Sequence, residues 1–172
     1  MAVKEVILLG NPLLREKSSD AAFDDELERI IEDLKDTLTH LQNEKGIGRA
    51  LAAPQIGYLK RVIFVNAKSS KNPRTMTLIN PTIVEKSKEI IEVWDSCYSF
   101  DVAFFVRIKR HKRIKVEYMD ENGRKIVEEF EDDLSELLQH EIDHLNGILA
   151  TDHLRSGKDI IMREEWEKRY LN

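Results

Sequence analysis

Only one cysteine, Cys97, occurs in 172 residues, which excludes an intramolecular disulfide and leaves that thiol as core filler, nucleophile or metal ligand. Long apolar runs are also missing. The N-terminal stretch from Val6 to Leu9 is too short for a secretory core or a membrane span, and acidic Glu5 precedes it, so a cytoplasmic protein with no membrane partner is expected. Positive charge is not in excess, since 27 basic side chains face 32 acidic ones for a net charge of -5, and no specific nucleic-acid binding is expected. The local basic run of Arg107, Lys109, Arg110, His111, Lys112 and Arg113 reads as a solvated strand edge. Repeats and linker-like tracts are absent, and 41% hydrophobic residues at this length suffice for one core, so residues 1–172 are read as a single domain.

Periodicity supplies the elements. Leu27, Ile30, Ile31, Leu34, Leu38 and Leu41 recur at three and four, predicting an amphipathic helix from Asp24 to about Asn43 with Asp24 or Asp25 as its cap. A β-rich middle follows, with strands expected over Arg61–Asn66, Thr75–Ile79 and Ile83–Trp94. Alternation over Arg113–Met119, a turn at Asp120–Gly123 and a return over Lys125–Phe130 predict a hairpin. A second helix is expected from Asp132 or Asp133, where Asp133 and Glu136 have capping-box spacing, to a stop at Gly147. A third is expected over Lys158–Tyr170. Helix, sheet and helix in this order make an α+β unit, with a mixed or antiparallel sheet packed around the second helix.

Within that second helix, His140 and His144 are four residues apart, so both imidazoles project from one face. Glu141 beside the first can reach a metal-bound water rather than the metal, which suits a general base that later acts as acid. A catalytic ion usually takes three protein ligands. The extended metzincin pattern would require a histidine at position 150, where the chain has Ala150. His153 lies beyond Gly147 and reads as a surface or capping residue, while Glu164 and Glu165 sit on the separate third helix. Cys97 is a strong anionic donor, although read on its own it is core filler more often than ligand.

Three blocks decide the matter by resemblance. Gln139, the pentad from His140 to His144, Leu145, Asn146 and Gly147 resemble the third motif of the peptide deformylase family. Gly48 to Gln55 resemble its first, and Asp95, Ser96, Cys97, Tyr98 and Ser99 more loosely its second. Gly10 to Arg15 and the segment from Ile148 to His153 resemble its opening and tail. The resemblance implies a deformylase-like α+β fold and metal-dependent removal of the N-formyl group from the initiator methionine of nascent chains. It implies Cys97, His140 and His144 as ligands of Fe²⁺, with Zn²⁺, Ni²⁺ or Co²⁺ as substitutes. It further implies Glu141 as the proton carrier, the Gln55 amide and the backbone N–H of Tyr98 as oxyanion donors, Gly48 and Ala50 beside the substrate, and transient ribosome contact. Some positions depart from the family pattern. Ala50 replaces the second glycine of the first motif, and Asp95, Ser96 and Tyr98 replace Glu, Gly and Leu in the second. Asp133 and Glu136 stand where the family builds an apolar methionine pocket. Charge there disfavours a thioether side chain unless the acids cap the helix or turn to solvent, and it motivates action on another N-formyl or N-acyl amine, or a silent binding member, as alternatives.

Overall fold

Asp24 adopts an extended backbone and its side chain accepts the Leu27 N–H at 3.0 Å, so the first helix, α1, starts there and runs Asp25–Lys45. It ends at Gly46, whose φ of 67° supplies the left-handed C-cap. Its apolar stripe is buried against Leu51, Val62, Phe64 and Ile79, and each large aliphatic side chain so covered contributes about 1.5–3 kcal/mol. In the computed structural model, which describes residues 2–68 and 70–171, the following strands are β1 Ala50–Ala52, β2 Val62–Ala67, β3 Arg74–Lys86, β4 Ile90–Asp95, β5 Phe104–His111, β6 Arg113–Met119, β7 Lys125–Glu131 and β8 Ile160–Met162. They form a five-stranded sheet in the order β1-β2-β3-β6-β7 and a three-stranded sheet in the order β4-β5-β8, with every strand pair antiparallel.

Several expectations need correction. The stretches at 75–79 and 83–94 are not separate strands in one sheet. β3 runs through both Asn80 and Pro81 on a register shift between Ile79 and Thr82, which accommodates the missing proline N–H. Asn80, at φ 51°, secures the irregularity by exchanging side-chain hydrogen bonds with the Ala21 backbone. The chain then breaks at Ser87, and β4 joins the other sheet. The expected third helix is also shorter: Ile160 and Ile161 belong to β8, paired with β5, and the helix α3 spans only Arg163–Tyr170. A three-residue apolar run of this kind carries no period that separates strand from helix. Finally, the basic run is not a solvated edge. β5 is the central strand of its sheet, and Arg110 is buried at 4% exposure.

The β6–β7 hairpin matches expectation, with Asp120 accepting from the N–H groups of Asn122 and Arg124 around Gly123 at φ 75°. The second helix, α2 Asp132–Leu145, lies against β1, β2, β6 and β7 of one sheet and β5 of the other. Leu134, Leu138, Ile142 and Leu145 fill the core beside Ile63, Leu78, Val116 and Phe130. Its start differs from a capping box. Asp133 accepts the N–H of the adjacent Leu134, and Glu136 turns to Arg49 instead of capping. After the helix the chain passes Arg15 so closely that a Cβ on Gly147 would lie 2.3 Å from the Arg15 carbonyl oxygen.

Candidate active site

The helical repeat brings His140 and His144 onto one face of α2 with their Nε2 atoms 3.1 Å apart. Cys97 approaches from the other sheet. It follows β4 with an extended backbone, and a 3-10 turn over Tyr98–Phe100 folds back so that the Ser99 N–H faces Sγ at 3.4 Å. Sγ lies 3.3 Å from His144 Nε2, and one donor atom from each of the three buried residues falls within 4.8 Å of the others.

A tetrahedral ion with the usual Zn–N and Zn–S lengths separates such donors by about 3.3–3.6 Å, so this set fits a divalent cation. The groups that hold these ligands in place agree. The Asp95 carboxylate lies 3.0 Å from His140 Nδ1, which directs the Nε2 lone pair of that ring towards the other donors. Arg110 donates to Asp95 at 2.9 Å and to Asp143 at 2.6 Å, and His153 meets the same Asp143 oxygen at 2.8 Å. Burial alone would raise the Asp95 carboxyl, but His140 and Arg110 outweigh it and hold the group well below the ordinary range. His140 is likewise opposed by burial yet raised by Asp95 and Cys97, whereas burial and the neighbouring His140 keep His144 neutral.

Glu141 is 4% exposed, its Oε2 has no hydrogen-bond partner among the described residues, and burial pushes its pKa up to about 7. Gln55 stands on the 3-10 turn Ala53–Ile56 that follows β1. Its Oε1 accepts the Ala52 N–H at 3.0 Å, which orients Nε2 to donate to Cys97 Sγ at 3.3 Å and Ser99 Oγ at 3.2 Å. Gly48, Ala50, Gln55, Cys97, Tyr98, His140 and Glu141 all face one cavity of about 430 Å³, with His144 buried beside them. At Gly48, φ is 105° and a Cβ would sit 1.8 Å from Tyr98 Oη. The space left by this glycine is therefore taken by the tyrosine, whose hydroxyl donates to the Ile47 carbonyl.

Sequence reasoning missed two parts of the cavity. One is Arg49 and its ion pair at 3.0 Å with Glu136, whose charge at this wall the sequence had already indicated. The other is an aromatic wall in which Phe105 stacks on Trp166 at 4.4 Å between ring centroids, with Trp94 beside it. The only signal for either was residue type, because each forms between segments far apart in the chain.

A family model described as Polypeptide deformylase matches residues 3–159. The chain is 35% identical over 174 residues to a peptide deformylase of Desulfotalea psychrophila, covering 99% of both chains. It is 36% identical over 160 residues to one of Thermotoga neapolitana, covering 92% of each. Among solved structures, the peptide deformylase of Thermotoga maritima aligns with a TM-score of 0.78 and 34% identity, over 91% of this chain and 100% of that one. That of Ehrlichia chaffeensis aligns with a TM-score of 0.82 and 29% identity over 92% and 91%. With an α2 that carries both histidines beside Cys97, and with relatives matched along nearly its whole length, this chain belongs to the polypeptide deformylase family.

Proposed function

We propose that this chain hydrolyses the N-formyl group of formylated peptides, with the formyl-methionyl end of a nascent chain as substrate, and that Cys97, His140, His144, Glu141, Gln55 and Tyr98 carry the reaction. The supporting observation is the convergence of three donor atoms within 4.8 Å, beside a buried carboxyl and an oriented amide. When bound, a divalent cation in this set, Fe²⁺ natively with Zn²⁺, Ni²⁺ or Co²⁺ as substitutes, supplies Lewis-acid polarisation and acidifies water towards neutral pH.

Glu141 takes a proton from the attacking water and passes it to the departing nitrogen, so that HC(O)–NHR and H₂O become HCOOH and H₂N–R. Its unpartnered Oε2 is the atom available for that proton. Of the two Gln55 Nε2 hydrogens, one is directed at Ser99 Oγ and the other at Cys97 Sγ. A formyl oxygen beside the sulfur accepts the second. Tyr98 begins a 3-10 turn, where a backbone N–H has no partner inside the turn, and it serves as the other oxyanion donor. Such a donor typically contributes about 3–4 kcal/mol to the transition state. Gly48 and Ala50 flank the substrate backbone at the open edge of β1. We place the protein in the cytoplasm with transient ribosome contact, where formylated chains emerge; no helix among the described residues is long and apolar enough to cross a membrane.

Formate release from formyl-Met-Ala tests the reading. Glu141→Gln should still bind one equivalent of ion while losing at least about 100-fold in turnover. Wild-type turnover in that variant would overturn the proton-carrier role, and no release by the metal-loaded wild type would overturn the activity.

A further inference from the structure

The cavity wall nearest the donor atoms is charged where a thioether would want apolar neighbours. Glu136 precedes His140 by one helical turn on α2 and so stands directly beside the site. Arg49, immediately before β1, reaches across to donate to Glu136 Oε1 at 3.0 Å and to the Asp133 carbonyl at 3.5 Å, with its Nη1 3.9 Å from the Asp133 carboxylate. Both side chains of the pair line the cavity and are mostly covered, at 28% and 18% exposure. Glu136 therefore neither caps the helix nor turns to bulk solvent.

β1 lies at the edge of its sheet and pairs only with β2. An extended peptide laid along that free edge alternates its side chains between the two sides. With the formyl carbon at the donor atoms, the first Cα lies two bonds away, and a side chain directed towards α2 meets Arg49, Glu136 and Leu137. The pair offers unused guanidinium N–H donors and a second carboxylate oxygen together. A cationic side chain would face Arg49, and an anionic one would face Glu136. A neutral dipolar end, with an acceptor for the guanidinium and a donor for the carboxylate, satisfies both. An apolar end desolvates both without replacing their partners, which costs free energy.

Resting on the deformylase reading above, in which methionine is the first residue that nascent chains present, we propose that Arg49 and Glu136 are specificity-determining residues that raise the preference of the site for a neutral, hydrogen-bonding first side chain of carboxamide type relative to an apolar chain of equal length. The substrates for the test are formyl-Gln-Ala, formyl-Met-Ala and formyl-norleucyl-Ala, which are nearly equal in length.

Metal-loaded wild type should hydrolyse the glutaminyl peptide with a kcat/KM at least equal to that of the norleucyl one. Replacing the pair by Arg49→Leu with Glu136→Leu should move the Gln-to-Met ratio at least about tenfold towards Met, through KM rather than kcat. A wild type that prefers the norleucyl peptide, or a double variant with the wild-type ratio, overturns the proposal. The wild-type comparison decides the matter even if the double variant does not fold. Release of formate from none of the three would overturn the deformylase reading itself, a result distinct from a wrong order among them.

Discussion

Arg110→Met removes the cation that joins the two halves of the ligand support. The guanidinium is 3% exposed and holds Asp95 at 2.9 Å and Asp143 at 2.6 Å, and Asp95 in turn orients His140. The methionine fills much the same volume, so little packing is lost. What remains is a pair of shielded carboxylates without their shared partner. Breaking one side of a buried pair costs about 3–5 kcal/mol, and at about 2–4 °C per kcal/mol for a chain of this size the melting temperature should fall by roughly 6–20 °C. Loss of the guanidinium that holds Asp95 against His140 should also weaken metal binding by about 10–100-fold. Denaturant titration of the chelator-treated protein separates these effects, since the stability loss should persist without metal. A loss below about 1 kcal/mol would show that Asp95 and Asp143 are solvated well enough to do without Arg110, and the claimed support would fail.

The bidentate Arg74–Glu128 pair, at 2.6 and 2.8 Å, holds the Glu128 carboxyl below its usual range, Arg74 being the main cause. Because the folded-state pKa is depressed, its contribution is complete above the unfolded value of about 4.3 and fades as pH falls through the folded one. Glu128→Gln should therefore cost up to about 1 kcal/mol at pH 7, with both side chains near one-third exposure, and nothing near pH 2; an unchanged difference across that range in urea titrations would contradict the assignment. At Gly48, substitution by Ala places a Cβ against Tyr98 at positive φ, so a loss of about 2–4 kcal/mol is expected. Adding Tyr98→Leu should restore the packing part but not the backbone part, and equal melting temperatures for the single and double variants would refute the contact.

How much of this was legible in the chain follows physical range. The pairing of His140 with His144, the proximity of Glu141 and the cap at Asp24 are local consequences of 3.6 residues per turn, and the hairpin at Asp120–Gly123 follows from turn chemistry. Cys97 required motif order, because a lone thiol between β4 and β5 has no periodicity to indicate where it points. Arg110 looked solvated among other basic residues until β5 was flanked on both sides, and its partner Asp143 lies 33 positions away. Arg49 and Glu136 meet across 87 positions, a separation that no local pattern records. Glu136 was conspicuous as a charge in the sequence, yet its orientation depended on Arg49 rather than on the helix carrying it. The strand at Ile160–Met162 was absorbed into a helix because three residues are too few to show a period.

The central claim is that residues 97, 140 and 144 hold one cation together. Cobalt(II) titration of the metal-depleted protein, followed by absorption, tests it directly: one equivalent should bind with a thiolate-to-cobalt charge-transfer band that disappears in Cys97→Ser, and with affinity lost in His144→Ala. A cobalt spectrum unchanged by Cys97→Ser would place the ion elsewhere and contradict the account.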